Sequence, residues 1–162
     1  MKFTSLIRFL VGLMLAPTWS FATISNMDTT ITSLRFIGEY IVPYHESFKN
    51  TTIGGLSGID YDRQNDIYYL LSDDRSNINP ARFYTARIQF SDKGIDTIEF
   101  LNVHHLLQQN GQPYPSSKKD AAHSIDPEAI RYNPKTKQIV WTSEGERITN
   151  SNRTVLVNPA IS

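Results

Sequence analysis

The chain has 162 residues, 40% of them hydrophobic, with 16 basic and 16 acidic side chains and no cysteine. A formally neutral chain lacks the basic surplus that nucleic-acid binding requires, and without cysteine neither a disulfide-stapled secreted domain nor a lipid-modified cysteine is available. At this length one ordinary domain is expected.

Residues 1–22 read as a signal peptide. Lys2 and Arg8 make a positive start, residues 9–16 a short apolar core, and Ser20-Phe21-Ala22 supplies the small residues of a cleavage site. The apolar run is too short to cross a bilayer. A periplasmic or secreted location is therefore expected, with no membrane role once the signal is removed. The remainder, 23–162, is the expected folded domain.

Residues 34–42 are predicted as a strand, the outer strand of a closing unit. Two apolar runs follow, 58–61 and 67–72, around a polar turn at 62–66 that suits a hairpin. Residues 82–90 alternate with a period of two, Asp92-Lys93-Gly94 is a turn, and 95–103 is the next strand. Four consecutive antiparallel strands result. A polar stretch, 104–125, then reads as an inserted loop, after which the pattern resumes with strands at 129–132 and 138–142 and a third run at 154–157.

The resumption is a repeat. Residues 55–74 align without a gap on 126–145, an offset of 71, so that Ile59 lies on Ile130, Tyr61 on Tyr132, Ser72 on Ser143 and Asp73 on Glu144. With the 22-residue loop removed, the offset becomes 49, an ordinary length for one four-stranded blade. An all-β fold follows, a β-propeller of four-stranded antiparallel blades. It is incomplete in this chain, because closure takes about four to eight blades. The chain is thus expected to be the N-terminal part of a longer propeller, and unpaired strand edges would weaken such a piece on its own.

In a propeller the start of the inner strand and the end of the second lie on one face. That face is expected to collect Asp73, Asp74, Asp126, Glu128, Glu144 and Glu146, with Arg75, Arg147, Lys118, Lys119, His104, His105 and His123 nearby. Such a group of carboxylates suits calcium, which accepts many oxygen ligands in flexible geometry. Zinc suits it less, since there is no cysteine and two of the four histidines are adjacent. The matching chemistry is metal-assisted attack by water. Glu128 and Glu144 are the candidate catalytic groups, and Arg75, Arg147, Lys118 and Lys119 the candidates for holding an anionic substrate.

Structural roles compete with these. Asp73 and Glu144 suit turns held through backbone amides, Arg75 and Arg147 suit neutralisation of adjacent acids, His123 suits a loop, and His104-His105 a strand end. Glu128, placed after a proline at the entrance to an inner strand, is the strongest functional candidate. Ser57, in Gly55-Leu56-Ser57-Gly58-Ile59, misses the nucleophile-elbow spacing because its second glycine comes one place early.

Four motifs in order, GGLSGIDYD, SDDR, DPEAIRY and SEGE, resemble the phytase-like domain family, exported bacterial proteins described as having esterase-like activity of phytase. The resemblance spans 36–157. It implies a β-propeller close to the calcium-dependent propeller phytases, whose carboxylates hold calcium ions that bind substrate phosphate. Carried over, DPEAI supplies Asp126 and Glu128, SEGE supplies Glu144 and Glu146, and SDDR supplies Asp73 and Asp74. Those phytases carry a denser acidic run of the type Asp-Ala-Asp-Asp-Pro-Ala-Ile, which only residues 126–130 echo. The expected activity is therefore calcium-dependent hydrolysis of phosphoesters or small esters. The alternative is a non-catalytic, calcium-stabilised propeller that binds an envelope or extracellular ligand, with Tyr114 as a contact.

Overall fold

A computed structural model describes residues 31–150 and 153–162; the expected signal peptide, 1–22, lies outside the described residues. All strands belong to a compact unit spanning Phe36–Ser162, while the preceding unit, Met1–Arg35, is described only over 31–35, which carry no regular structure. A small hairpin comes first, β1 (Ser47–Phe48) with β2 (Thr51–Thr52). Four strands then form one antiparallel sheet in sequence order: β3 (Leu56–Asp62), β4 (Ile67–Ser72), β5 (Arg82–Ser91) and β6 (Gly94–His105). The second sheet has β7 (Pro127–Asn133) and β8 (Gln138–Ser143), with β11 (Ala160–Ile161) on the outer side of β8. Between them β9 (Glu146–Asn150) and β10 (Arg153–Val157) pair with each other as a separate hairpin. The fold is all-β and propeller-like, and none of the four sheets closes on itself.

The 71-residue offset holds in the first two strands of each unit. In the first unit the ladder breaks between Leu56 and Gly58 opposite Ser72 and Leu71; in the second it breaks between Pro127 and Ala129 opposite Ser143 and Thr142. Each break is a bulge at the matching residue, Ser57 and Glu128. Both hairpins are closed alike. The Asp62 carboxylate accepts from the amides of Gln64 and Asn65, as the Asn133 side chain accepts from those of Lys135 and Thr136. Short polar side chains at this position mimic a backbone turn, and each loop returns through a left-handed residue, Asp66 at φ 54° and Lys137 at φ 58°.

The second unit is laid directly on the first. A β-carbon on Gly58 would stand 3.2 Å from the Ile130 nitrogen, so glycine permits the backbones to approach. The Tyr132 amide donates to Asp60 Oδ2 at 2.7 Å, and Arg131 Nη1 to the Ile59 carbonyl at 3.2 Å. Successive residues of β4 feed opposite faces. Leu71 joins Ala81, Leu106, Ile125, Ile130 and Trp141 in a core shared by the two units, whereas Leu70 packs with Ile53, Tyr84 and Ala86.

Two expectations are corrected. Residues 34–42 form no strand; Leu34, Phe36 and Ile41 remain exposed and no sheet edge among the described residues pairs with them. The run at 154–157 is not the third strand of the second unit, because β10 pairs with β9 and the short β11 takes the place beside β8. The stretch expected as an inserted loop, 104–125, starts with the last two residues of β6 and then runs without a strand to β7, with one short 3-10 turn, Ala121–His123; it anchors the core through Leu106 and Ile125. Tyr114 lies edge-on to Trp141, ring centroids 5.7 Å apart, and its carbonyl accepts from Ser76 Oγ at 2.7 Å, so it supports the core.

Candidate functional site

Asp126, Glu128 and Glu144 come together at the mouth of the second unit, each offering a carboxylate oxygen within 4.8 Å of the others. The local backbone explains the convergence. Asp126 enters β7 with its amide donating to Ser143 Oγ at 3.0 Å and its carbonyl accepting from the Glu144 amide at 3.1 Å. The first unit repeats the second of these bonds, the Asp73 amide donating to the Gly55 carbonyl at 2.7 Å. Glu128 sits at the bulge, which turns a side chain out of the regular alternation. The strand end therefore carries Asp126 and Glu144 side by side, and the bulge adds Glu128.

Arg75 is the cation of this site. Its Nε lies 2.9 Å from Asp126 Oδ1 and its Nη1 2.7 Å from Glu146 Oε1. The offset of 71 places Arg75 and Glu146 at equivalent positions of the two units, so the first unit contributes the counter-charge to acids supplied by the second. Burial pushes the Asp126 carboxyl up to about 6; Arg75 opposes this, while Glu128, Glu144 and Glu146 add to it. Burial also raises Glu128, with Glu144 and Asp73 adding and Arg75 opposing. Burial works against charge on Arg75, yet the bond to Glu146 and the fields of Asp126, Glu146 and Glu144 hold its pKa above the ordinary value.

The other predicted residues are distributed differently. Asp74, expected as a ligand, has both oxygens engaged: Oδ2 pairs with Arg82 Nη1 at 2.8 Å and accepts from the Asn79 amide, while Oδ1 accepts from the amides of Asn77 and Ile78. Both oxygens close the 74–79 loop. Glu146 and Arg75 pair with each other. Asp73 lies near enough to raise Glu128, and its carboxylate occupies the space that a β-carbon on Gly55 would need. Arg147, Lys118 and Lys119 are exposed and form no ion pair among the described residues. His104 and His105 end β6, the outermost strand of its sheet, where the His104 ring stacks on Phe83 at 4.8 Å. His123 pairs with Asp120 at 2.8 Å on the surface. Ser57, the counterpart of Glu128, donates to the Pro127 carbonyl at 3.4 Å, a packing contact between the units.

A pH dependence follows from the buried acid. The folded pKa of Asp126, about 6, exceeds its ordinary 3.8. Folding therefore favours the protonated form, and this stabilisation is complete below about pH 4 and lost as pH rises through about 6. The His104 ring, held below its usual range by burial, works in the opposite direction. The comparison is thus made with Asp126→Asn: in metal-free buffer the variant should gain on the wild type by on the order of 3 kcal/mol between pH 3 and pH 7, about half of it between pH 5 and pH 7. A stability difference that stays flat across that window would contradict the assignment.

The family model described as phytase-like, esterase-like activity of phytase, matches residues 51–161, well over half of the chain and the whole of the site above. No curated protein and no solved structure matches.

Proposed function

The chain belongs to the phytase-like family, and from that premise we propose that it is an exported, calcium-dependent hydrolase of phosphoesters or other small esters, acting at Asp126, Glu128 and Glu144. The supporting observation is the spacing of the three carboxylate oxygens within 4.8 Å. Oxygens bound to one calcium at about 2.4 Å can be at most about 4.8 Å apart, and calcium prefers an all-oxygen donor set. Asp126, Glu128 and Glu144 would hold the calcium, which would supply polarisation of a phosphoryl or carbonyl oxygen and a lowered pKa for an attacking water.

The chain's own residues define the rest. Arg75 fixes Asp126 through Nε. Glu144, exposed at the end of β8, and Glu128, half-buried at the bulge, are the carboxylates open to substrate and able to accept a proton. Arg147, Lys118 and Lys119 supply exposed positive charge to attract an anionic ester. Export rests on the signal-like residues 1–22 and places the activity in the periplasm or outside the cell.

A second reading has support of its own. Arg75 ties the first unit to Asp126 and Glu146 of the second, so calcium at this junction would also clip the two units together without any turnover. Thermal unfolding with calcium and with chelator, run beside an ester-hydrolysis screen, separates the two. Calcium at about 100 times its Kd should raise the midpoint by about 5–10 °C. Turnover that disappears with chelator supports the hydrolase. A midpoint shift without turnover supports the clip, and an unchanged midpoint removes calcium from the site.

A further inference from the structure

A cavity of about 730 Å³ lies beside the carboxylate cluster. One wall comes from the segments around Val42–His45 and Thr52–Leu56, the other from the loop that carries Asp73, Arg75 and Ile78. Its volume is in the range of small-molecule sites. Asp73 and Arg75 line it and also act on the cluster, so cavity and cluster adjoin.

Most of the charges lining this cavity are already matched. Asp74 is paired with Arg82, and Arg75 with Asp126 and Glu146. Asp73 alone carries a carboxylate with no hydrogen-bond or ion-pair partner among the described residues. Among the described residues every arginine lining the space is paired with an acid and no lysine lines it, so a second or third phosphate on the substrate would lie beside the unpartnered Asp73 carboxylate. Apolar groups instead stand at its rim. Tyr44 is 90% exposed and Ile78 is 73% exposed, yet both line the same cavity. Leu56 and Ile53 continue the apolar lining inward. The Tyr44 ring is held beside the His45 ring, centroids 3.9 Å apart, by a turn in which His45 takes a left-handed φ of 63° and the Glu46 amide donates to the Pro43 carbonyl. A backbone held in that region by a non-glycine residue is an observed departure from the common conformations.

We infer that this cavity receives the alcohol side of the ester, and that it selects an aromatic or long-chain alkyl group bearing a single anionic ester over a polyol bearing several phosphates. The inference rests on the hydrolase reading above. In the reaction the oxygen of water bonds to the phosphorus or acyl carbon, the bond to the ester oxygen breaks, and that oxygen leaves with a proton as the alcohol. The alcohol's apolar group stays between Tyr44 and Ile78 throughout. An aromatic ring there gains both apolar burial and stacking.

The test compares 2-phenylethyl phosphate with glycerol phosphate, two esters of aliphatic alcohols, using the full chain with calcium. The expected wild-type preference in kcat/KM for the phenylethyl ester is about ten-fold or more, and Tyr44→Ala combined with Ile78→Ser should remove most of it. Both positions are exposed, so the variant keeps the core. No preference in the wild type, or an equal preference in the variant, overturns the inference. Binding of 2-naphthol, followed by its fluorescence in chelator, separates this from failure of the hydrolase reading. If neither ester turns over, the hydrolase reading fails, while saturable naphthol binding that weakens about ten-fold in the variant upholds the apolar cavity. Absent or unaltered naphthol binding overturns it.

Discussion

Asp74→Ala is expected to destabilise the fold by about 3–5 kcal/mol, the cost of leaving a buried guanidinium without its counter-ion. Arg82 is 1% exposed and rests on Asp74, on the Thr52 carbonyl at 2.6 Å and on the Tyr84 hydroxyl at 2.7 Å. The Tyr84 hydroxyl in turn meets Thr51 Oγ1 at 3.0 Å. The network therefore joins β5 to the small β1–β2 hairpin. Burial pushes the Asp74 carboxyl up, but the Arg82 guanidinium and the amides of Asn79, Ile78 and Asn77 together hold it below the ordinary value. Removing this one side chain also frees three backbone donors of the 74–79 loop. Denaturant unfolding measures the loss against a total stability of about 5–15 kcal/mol for a domain. Adding Arg82→Leu to Asp74→Ala should restore part of it, since the isolated charge is then gone. A loss below about 1 kcal/mol would show that the pair carries little.

Glu128→Gln should separate the site from the scaffold. The substitution keeps the shape of the side chain and removes one of three crowded negative charges. In chelator the variant is expected to be as stable as the wild type or slightly more so, because burial and the neighbouring Glu144 and Asp73 already work against charge on Glu128. In calcium it should lose most of the midpoint shift, and ester turnover should fall at least about a hundred-fold. The opposite sign in the two buffers is the diagnostic feature. A variant that responds to calcium like the wild type and hydrolyses esters normally would remove Glu128 from the site.

Much of this arrangement was legible in the chain itself. The repeat carried the hairpins, because the features that close them, Asp62 and Asn133, are local. It also placed Asp126 and Glu144 together, since strand ends of one hairpin must meet. What it could not express was the partner of each charge. Asp73 and Asp74 are adjacent and chemically identical, and only the fold of the following loop turns Asp74 onto three amides and Arg82. Arg75 carried a signal that could have been used: opposite charges at equivalent positions of neighbouring repeats, Arg75 and Glu146, are placed to pair. The run at 154–157 shows a different limit. Its apolar character marks a strand, but the neighbour it pairs with is decided by the competition of edges in three dimensions, where β9 and β11 both intervened.

Gly55 gives the repeat a direction. It occupies the position of Asp126, yet its backbone is left-handed at φ 56° and the Asp73 carboxylate fills the place of its missing side chain. A carboxylate installed there would have to displace the Asp73 side chain, so the first unit does not carry acids at both positions as the second does. The two halves thus differ at the entrance to their first strands, and a second carboxylate cluster in the first unit would need Asp73 to swing aside as well as an acid at position 55.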